Sequence, residues 1–125
     1  MSQGYFDNIE KITQENDNFR QVLHTGEYSQ LVVMSLLPGE EIGAEVHNGH
    51  DQFFRIESGQ AKIVIGEESF EGGDGFSAVV PSGVNHNVIN ISETEPLKLY
   101  TIYSPSEHAP GTIHKTKAEA EASNS

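Results

Sequence analysis

The run Leu31-Val32-Val33-Met34-Ser35-Leu36-Leu37 is apolar on both faces of any strand it could form. A strand with one wet face would alternate, so this one must be covered twice, by the core and by something else. A second subunit is the expected cover and predicts a homodimer; a locally thicker core is the other reading. Phe19–Leu23 precedes this run across the turn cluster Thr25-Gly26-Glu27, and Pro38-Gly39 ends it. Short β-forming stretches then recur around 45–47, 52–57, 61–65, 76–80, 85–91 and 97–103. Ser58-Gly59, Gly66-Glu67, Gly72-Gly73-Asp74-Gly75, Pro81-Ser82-Gly83 and Glu95-Pro96 punctuate them. Strands at this spacing, with no long helical period among them, predict an all-β barrel or sandwich over residues 19–104.

The ends read differently. Residues 1–18 are polar, with Ile9 and Ile12 at helical spacing, and predict a docked arm or short helix. In 105–125, Pro105 and Pro110-Gly111 keep the chain irregular before a short surface helix over 114–122. No linker or repeat divides the chain, so one domain is expected.

Charge narrows the function. Nineteen acidic against seven basic residues give a formal charge of −12. That excludes a nucleic-acid reader, which needs clustered Lys and Arg, and disfavours anionic membranes. Highly anionic substrates are disfavoured too, unless a metal reverses the local sign. With no cysteine there is neither a disulfide nor a thiolate ligand or nucleophile. No apolar run approaches the roughly 20 residues of a membrane span. Met1–Asp7 lacks the basic-then-apolar order of a secretory signal, so a cytoplasmic protein is expected.

The chemistry concentrates in histidines 47, 50 and 86. Asn48-Gly49 is a strong two-residue hairpin signal, and a type I′ turn there would pair His47 with His50 and Glu45 with Gln52. These four would share one side of the hairpin, continued by Phe54 and Ile56 and therefore inward. Asp51, Arg55 and Glu57 would face solvent. Four polar groups aimed at an apolar interior are costly unless they pair with one another or hold a metal. Mixed imidazole and oxygen donors suit Fe, Mn, Ni or Zn as one divalent ion. A metal-free hydrogen-bond network, with Glu45 accepting from His47 or Gln52, is the other reading.

Residues 39–90 resemble the cupin superfamily. The pattern G-x5-P-x-G-x2-H-x3-N is met in full by Gly75, Pro81, Gly83, His86 and Asn90. In the companion pattern G-x5-H-x-H-x(3,4)-E-x6-G, Gly39, His47 and Gly59 match, while Glu45 replaces the first histidine and Gln52 the glutamate. The resemblance implies a jelly-roll, or double-stranded β-helix, barrel. It also implies a metal held by Glu45, His47, Gln52 and His86, with His50 in reserve. Two histidines and a carboxylate leave positions open for oxygen or substrate. The activities implied run from dioxygenases to isomerases and lyases, and include ligand-binding modules. A metalloenzyme acting on a small organic substrate, with Glu45 as a catalytic base, is the leading expectation. A non-enzymatic sensor barrel and a sugar isomerase-like cupin are the alternatives.

Other candidates are weaker. His24 is expected at the surface, and His108 and His114 in a tail packed on a neighbouring strand or capping the barrel mouth. Phe53, Phe70, Phe76, Tyr100 and Tyr103 read as core or interface, and Phe54 as a possible pocket wall. Lys62, Lys98 and Arg55 are the only bases expected near the mouth, too few for phosphate.

Overall fold

Alternating burial builds the barrel wall. The computed structural model describes residues 3–123. The strands are β1 (Arg20–Thr25), β2 (Gln30–Leu36), β3 (Asp51–Ser58), β4 (Ala61–Ile65), β5 (Glu68–Gly72), β6 (Ser77–Val80), β7 (His86–Asn90), β8 (Leu97–Ser104) and β9 (Ile113–His114). They form a six-stranded sheet, β6-β3-β8-β2-β1-β9, and a three-stranded one, β5-β4-β7, with antiparallel pairing throughout. Val32, Met34, Leu36, Phe54, Ile56, Ile63, Val88, Leu97 and Leu99 bury their side chains between them. This is the expected all-β jelly roll with a short helix at each end, α1 (Ile9–Glu15) and α2 (Lys117–Ala122). Among these residues no helix is long and apolar enough to cross a membrane.

Helix α1 starts where Asn8 accepts from the Lys11 amide, an N-cap that satisfies one of the helix's free donors. It lies over the outer face of the large sheet, where Ile12 and Val33 border the same crevice. Val33 is fully buried there, and the Ser35 amide donates to the carbonyl of Asn18. Around Val33 the second cover that β2 demands is thus supplied from within the chain. Glu57 was expected in solvent, yet it is buried under the same helix, with Gln14 donating to its carbonyl.

Two strands were not anticipated. In β5, Glu68 to Glu71 are all exposed, so backbone pairing with β4 rather than apolar patterning makes the strand. In β9 the tail pairs with Arg20 and Gln21 of β1. Phe70 and Phe76, read as core or interface, are half or more exposed.

The Asn48-Gly49 hairpin does not form. A type I′ turn needs positive φ at both central residues, and only Gly49 has it (85°). His50 still donates to the His47 carbonyl at 3.4 Å, but the two arms part. Residues 40–45 run beside β7, with bridges Glu41–Ile89 and Glu45–His86, whereas Asp51 onward joins the large sheet. The turn therefore hands the chain from one sheet to the other.

Candidate metal centre

Three backbone devices bring the donors together. Reciprocal bonds between Glu45 and His86 (2.8 and 2.9 Å) fix those two residues side by side in the small sheet. Gly83, at φ 81°, donates its amide to the His47 carbonyl, so the Pro81–Gly83 turn clamps the loop that carries His47. Serine 82 tightens the clamp, its hydroxyl accepting from Gly49 and its amide donating to Asp51. Gln52 projects inward from β3, directly opposite Tyr103 of β8. Asn90 is structural: its buried amide donates to the carbonyls of Leu36, Leu37 and Glu95, tying β7 to β2.

The result is a cluster. One ligand atom each from Glu45, His47 and His86 lies within 4.8 Å of the others. The imidazoles of His47 and His86 are 5.3 Å apart at their centroids. Gln52 Oε1 lies 3.1 Å from His86 Nε2. His50 is not part of the cluster: its Nδ1 contacts the Pro105 carbonyl at 2.9 Å and its Nε2 faces Glu107 at 3.4 Å.

The donors fit a divalent ion better than a closed hydrogen-bond network. His47 Nε2 is buried and has no hydrogen-bond partner among the described residues. Glu45 Oε1 is 3.4 Å away, but the geometry makes an ion-pair contact rather than a hydrogen bond. An orphaned buried nitrogen is costly, and coordination removes the cost. On His86, Nδ1 lies 2.9 Å from the Val84 carbonyl, which can only accept, so the proton sits there and the Nε2 lone pair faces the cluster. Gln52 donates from Nε2 to Thr101 at 3.0 Å, which turns its oxygen toward that lone pair. Flipping the amide would satisfy this pair alone, but His47 Nε2 would still make no hydrogen bond. Neighbouring ligands on one ion at about 2.1 Å stand about 3 Å apart, close to the His86–Gln52 separation.

Glu107 is a residue that the sequence reading missed. Its carboxylate lies 3.6 Å from His47 Nδ1, on the far side of the ring from the cluster. A carboxylate behind a ligating imidazole fixes the tautomer and raises ligand basicity. Nothing in the local sequence marks Glu107, which follows β8 by three residues and meets His47 only through the fold.

Electrostatics follow from this crowding. Burial raises the Glu45 carboxyl, but contact with His47 and the charges of His47, Arg20 and His86 outweigh it, leaving the group below its ordinary value. His47 is raised, chiefly by Glu45 and against the effect of burial. Burial pushes the Tyr103 hydroxyl well up. It pushes His108 down to about 4, with Arg20 adding to the effect. Tyr103 packs edge-on against both His47 and His108, at 5.7 and 5.2 Å.

A family model described as a cupin domain matches residues 32–103. The chain belongs to the cupin family. This cupin is 46% identical over 121 residues to the protein YrkC of Bacillus subtilis, an alignment covering 92% of the chain and 64% of YrkC. It therefore spans just under two thirds of that relative. It is 40% identical over 127 residues to protein L612 of Acanthamoeba polyphaga mimivirus, covering 99% of the chain and 79% of L612. The crystal structure of BH2720 from Bacillus halodurans is similar with a TM-score of 0.94 and 40% identity, over 97% of this cupin and 96% of that chain.

A cavity of about 590 Å³ opens beside the cluster, with Glu45 at its edge and Arg20, Glu107, His108 and His114 among its walls. His108 and His114, expected in the tail, thus both line the barrel mouth, while β9 packs His114 onto β1. Arg20 corrects the expectation that Lys62, Lys98 and Arg55 are the only bases at hand.

Proposed function

We propose that this cupin is a metalloenzyme for a small organic substrate, holding one divalent ion through Glu45, His47, His86 and the Gln52 oxygen. The observation that carries this reading is a cluster of ligand atoms from Glu45, His47 and His86 within 4.8 Å of one another, in which the buried Nε2 of His47 makes no hydrogen bond. When bound, such an ion supplies Lewis acidity toward a substrate oxygen, or with iron the chemistry of dioxygen.

The chain's own groups supply the rest. Glu45 borders the cavity and is ionised at neutral pH, so it can take a proton from substrate whenever it is not a ligand. Glu107 holds His47 from behind, and Val84 holds His86. Tyr103 keeps its proton, and His108 stays neutral beside it. Glu107, Tyr103 and His108 set ionisable groups around the ligands, which favours catalysis over a non-enzymatic sensor role.

Elemental analysis of untagged protein tests the metal. Near-stoichiometric divalent metal is expected, falling sharply in His86→Ala; equal trace metal in both proteins would end this reading. A homodimer finds support in the outward row Val79, Phe53, Ile102 and Leu31 on neighbouring strands, where Val79 is 62% exposed. Sedimentation should show a dimer that Val79→Glu splits. A monomeric wild type would dismiss it.

A further inference from the structure

We propose that Arg20 receives a substrate carboxylate, so that the cavity beside the cluster takes small carboxylic acids. This deepens the reading of that cavity as the substrate site and rests on it.

Arg20 points inward from β1, opposite Met34, and is only 7% exposed. Its guanidinium stacks on Phe19 at 5.3 Å. One Nη lies 3.4 Å from His114 Nδ1, and the buried Nε has no hydrogen-bond partner among the described residues. None of their carboxylates comes within 4.0 Å of it, in a chain with nineteen acidic side chains. Lys98, the other buried cation, by contrast pairs with Asp17 at 2.9 Å. The two nearby acids are engaged elsewhere, Glu45 against His47 and Glu107 between His47 and His50. A buried guanidinium that touches no carboxylate and whose Nε lacks a hydrogen bond is poorly compensated, and the cavity it lines leaves room for an anion from solution.

The surroundings select the anion. A guanidinium fork matches a planar carboxylate through two parallel hydrogen bonds. One buried positive charge balances one negative charge. A phosphate dianion would also face the carboxylates of Glu45, Glu107 and Glu121 on the same cavity wall, where Lys117 is the one lysine and His108 and His114 are the imidazoles. Phe19, Ile42, Ala44 and Ala120 offer an apolar surface for a short carbon skeleton. The volume, about 590 Å³, leaves room for such a ligand.

The test compares glycolate with glycolamide, which differ in charge but hardly in size, by calorimetric titration of chelator-treated and Mn(II)-loaded protein. Glycolate should bind at least about tenfold more tightly than glycolamide in both forms. Arg20→Gln should weaken glycolate by about 10–100-fold, the worth of a charge-assisted pair, with metal content unchanged. Arg20→Lys should fall between the two. His86→Ala should lose metal yet keep the preference for glycolate, so a failure of the metal reading is seen separately. Equal binding of glycolate and glycolamide would overturn the proposal, even if Arg20→Gln failed to fold. So would parallel loss of metal in Arg20→Gln, tighter binding of inorganic phosphate than of glycolate, or loss of the preference in His86→Ala.

Discussion

Gln52 stands where the cupin pattern carries glutamate, and Gln52→Glu restores that carboxylate without changing side-chain volume. The residue is 2% exposed, with Oε1 3.1 Å from His86 Nε2 and Nε2 donating to Thr101 Oγ1. In metal-free protein the substitution places a second carboxylate in the interior near Glu45. Rotation of the Thr101 hydroxyl keeps one hydrogen bond, so the desolvation cost is only partly offset, and a net loss of about 1–3 kcal/mol is expected. For a domain of this size that lowers Tm by roughly 3–15 °C. With metal the sign reverses, because an anionic oxygen replaces a neutral one on a divalent ion. Affinity should rise about 10–100-fold, equivalent to about 1.4–2.7 kcal/mol. By linkage, that difference appears as a larger metal-induced rise in Tm. The assay is thermal unfolding of both proteins in chelator and in excess Mn(II), alongside competition with a chromophoric chelator. Equal metal-induced shifts, or weaker binding by Gln52→Glu, would refute the placement of position 52 against the ion.

Glu107→Gln removes the carboxylate behind His47 but leaves the cluster itself intact, so metal affinity should fall about 10–100-fold with little change in metal-free Tm; unchanged affinity in the chelator competition would deny Glu107 that role. His108 titrates at about 4 in the fold, lowered first by burial and then by Arg20, against roughly 6.5 in the unfolded chain. The unfolded chain then binds the extra proton between those values, so this contribution is complete above about pH 6.5 and is lost as pH falls toward 4. Thermal melts across that window should show a shallower acid dependence in His108→Gln, and identical slopes would count against the burial of that ring.

The amino-acid sequence alone determined the wall of the molecule. Short apolar stretches cut by Gly and Pro can bury one face only by closing on themselves, and the Gly75, Pro81, Gly83, His86, Asn90 series carried enough turn geometry to name the family. Polar donors on an inward face have few ways to be satisfied, which drew Glu45, His47, His50 and Gln52 together; the set Glu45, His47, Gln52 and His86 came from the resemblance. The Asn48-Gly49 dipeptide misled, since a local turn preference cannot know that Glu45 has a partner in His86, across the small sheet. The same limit hid Glu107 and Arg20. A carboxylate becomes a support for His47 only when the tail crosses the barrel mouth, and an arginine becomes an anion receptor only when burial leaves it without a counter-charge. Both facts come from long-range packing, where proximity in space is unrelated to proximity along the chain. Local pattern decides which residues face inward; closure of the two sheets and docking of the tail decide what they meet there.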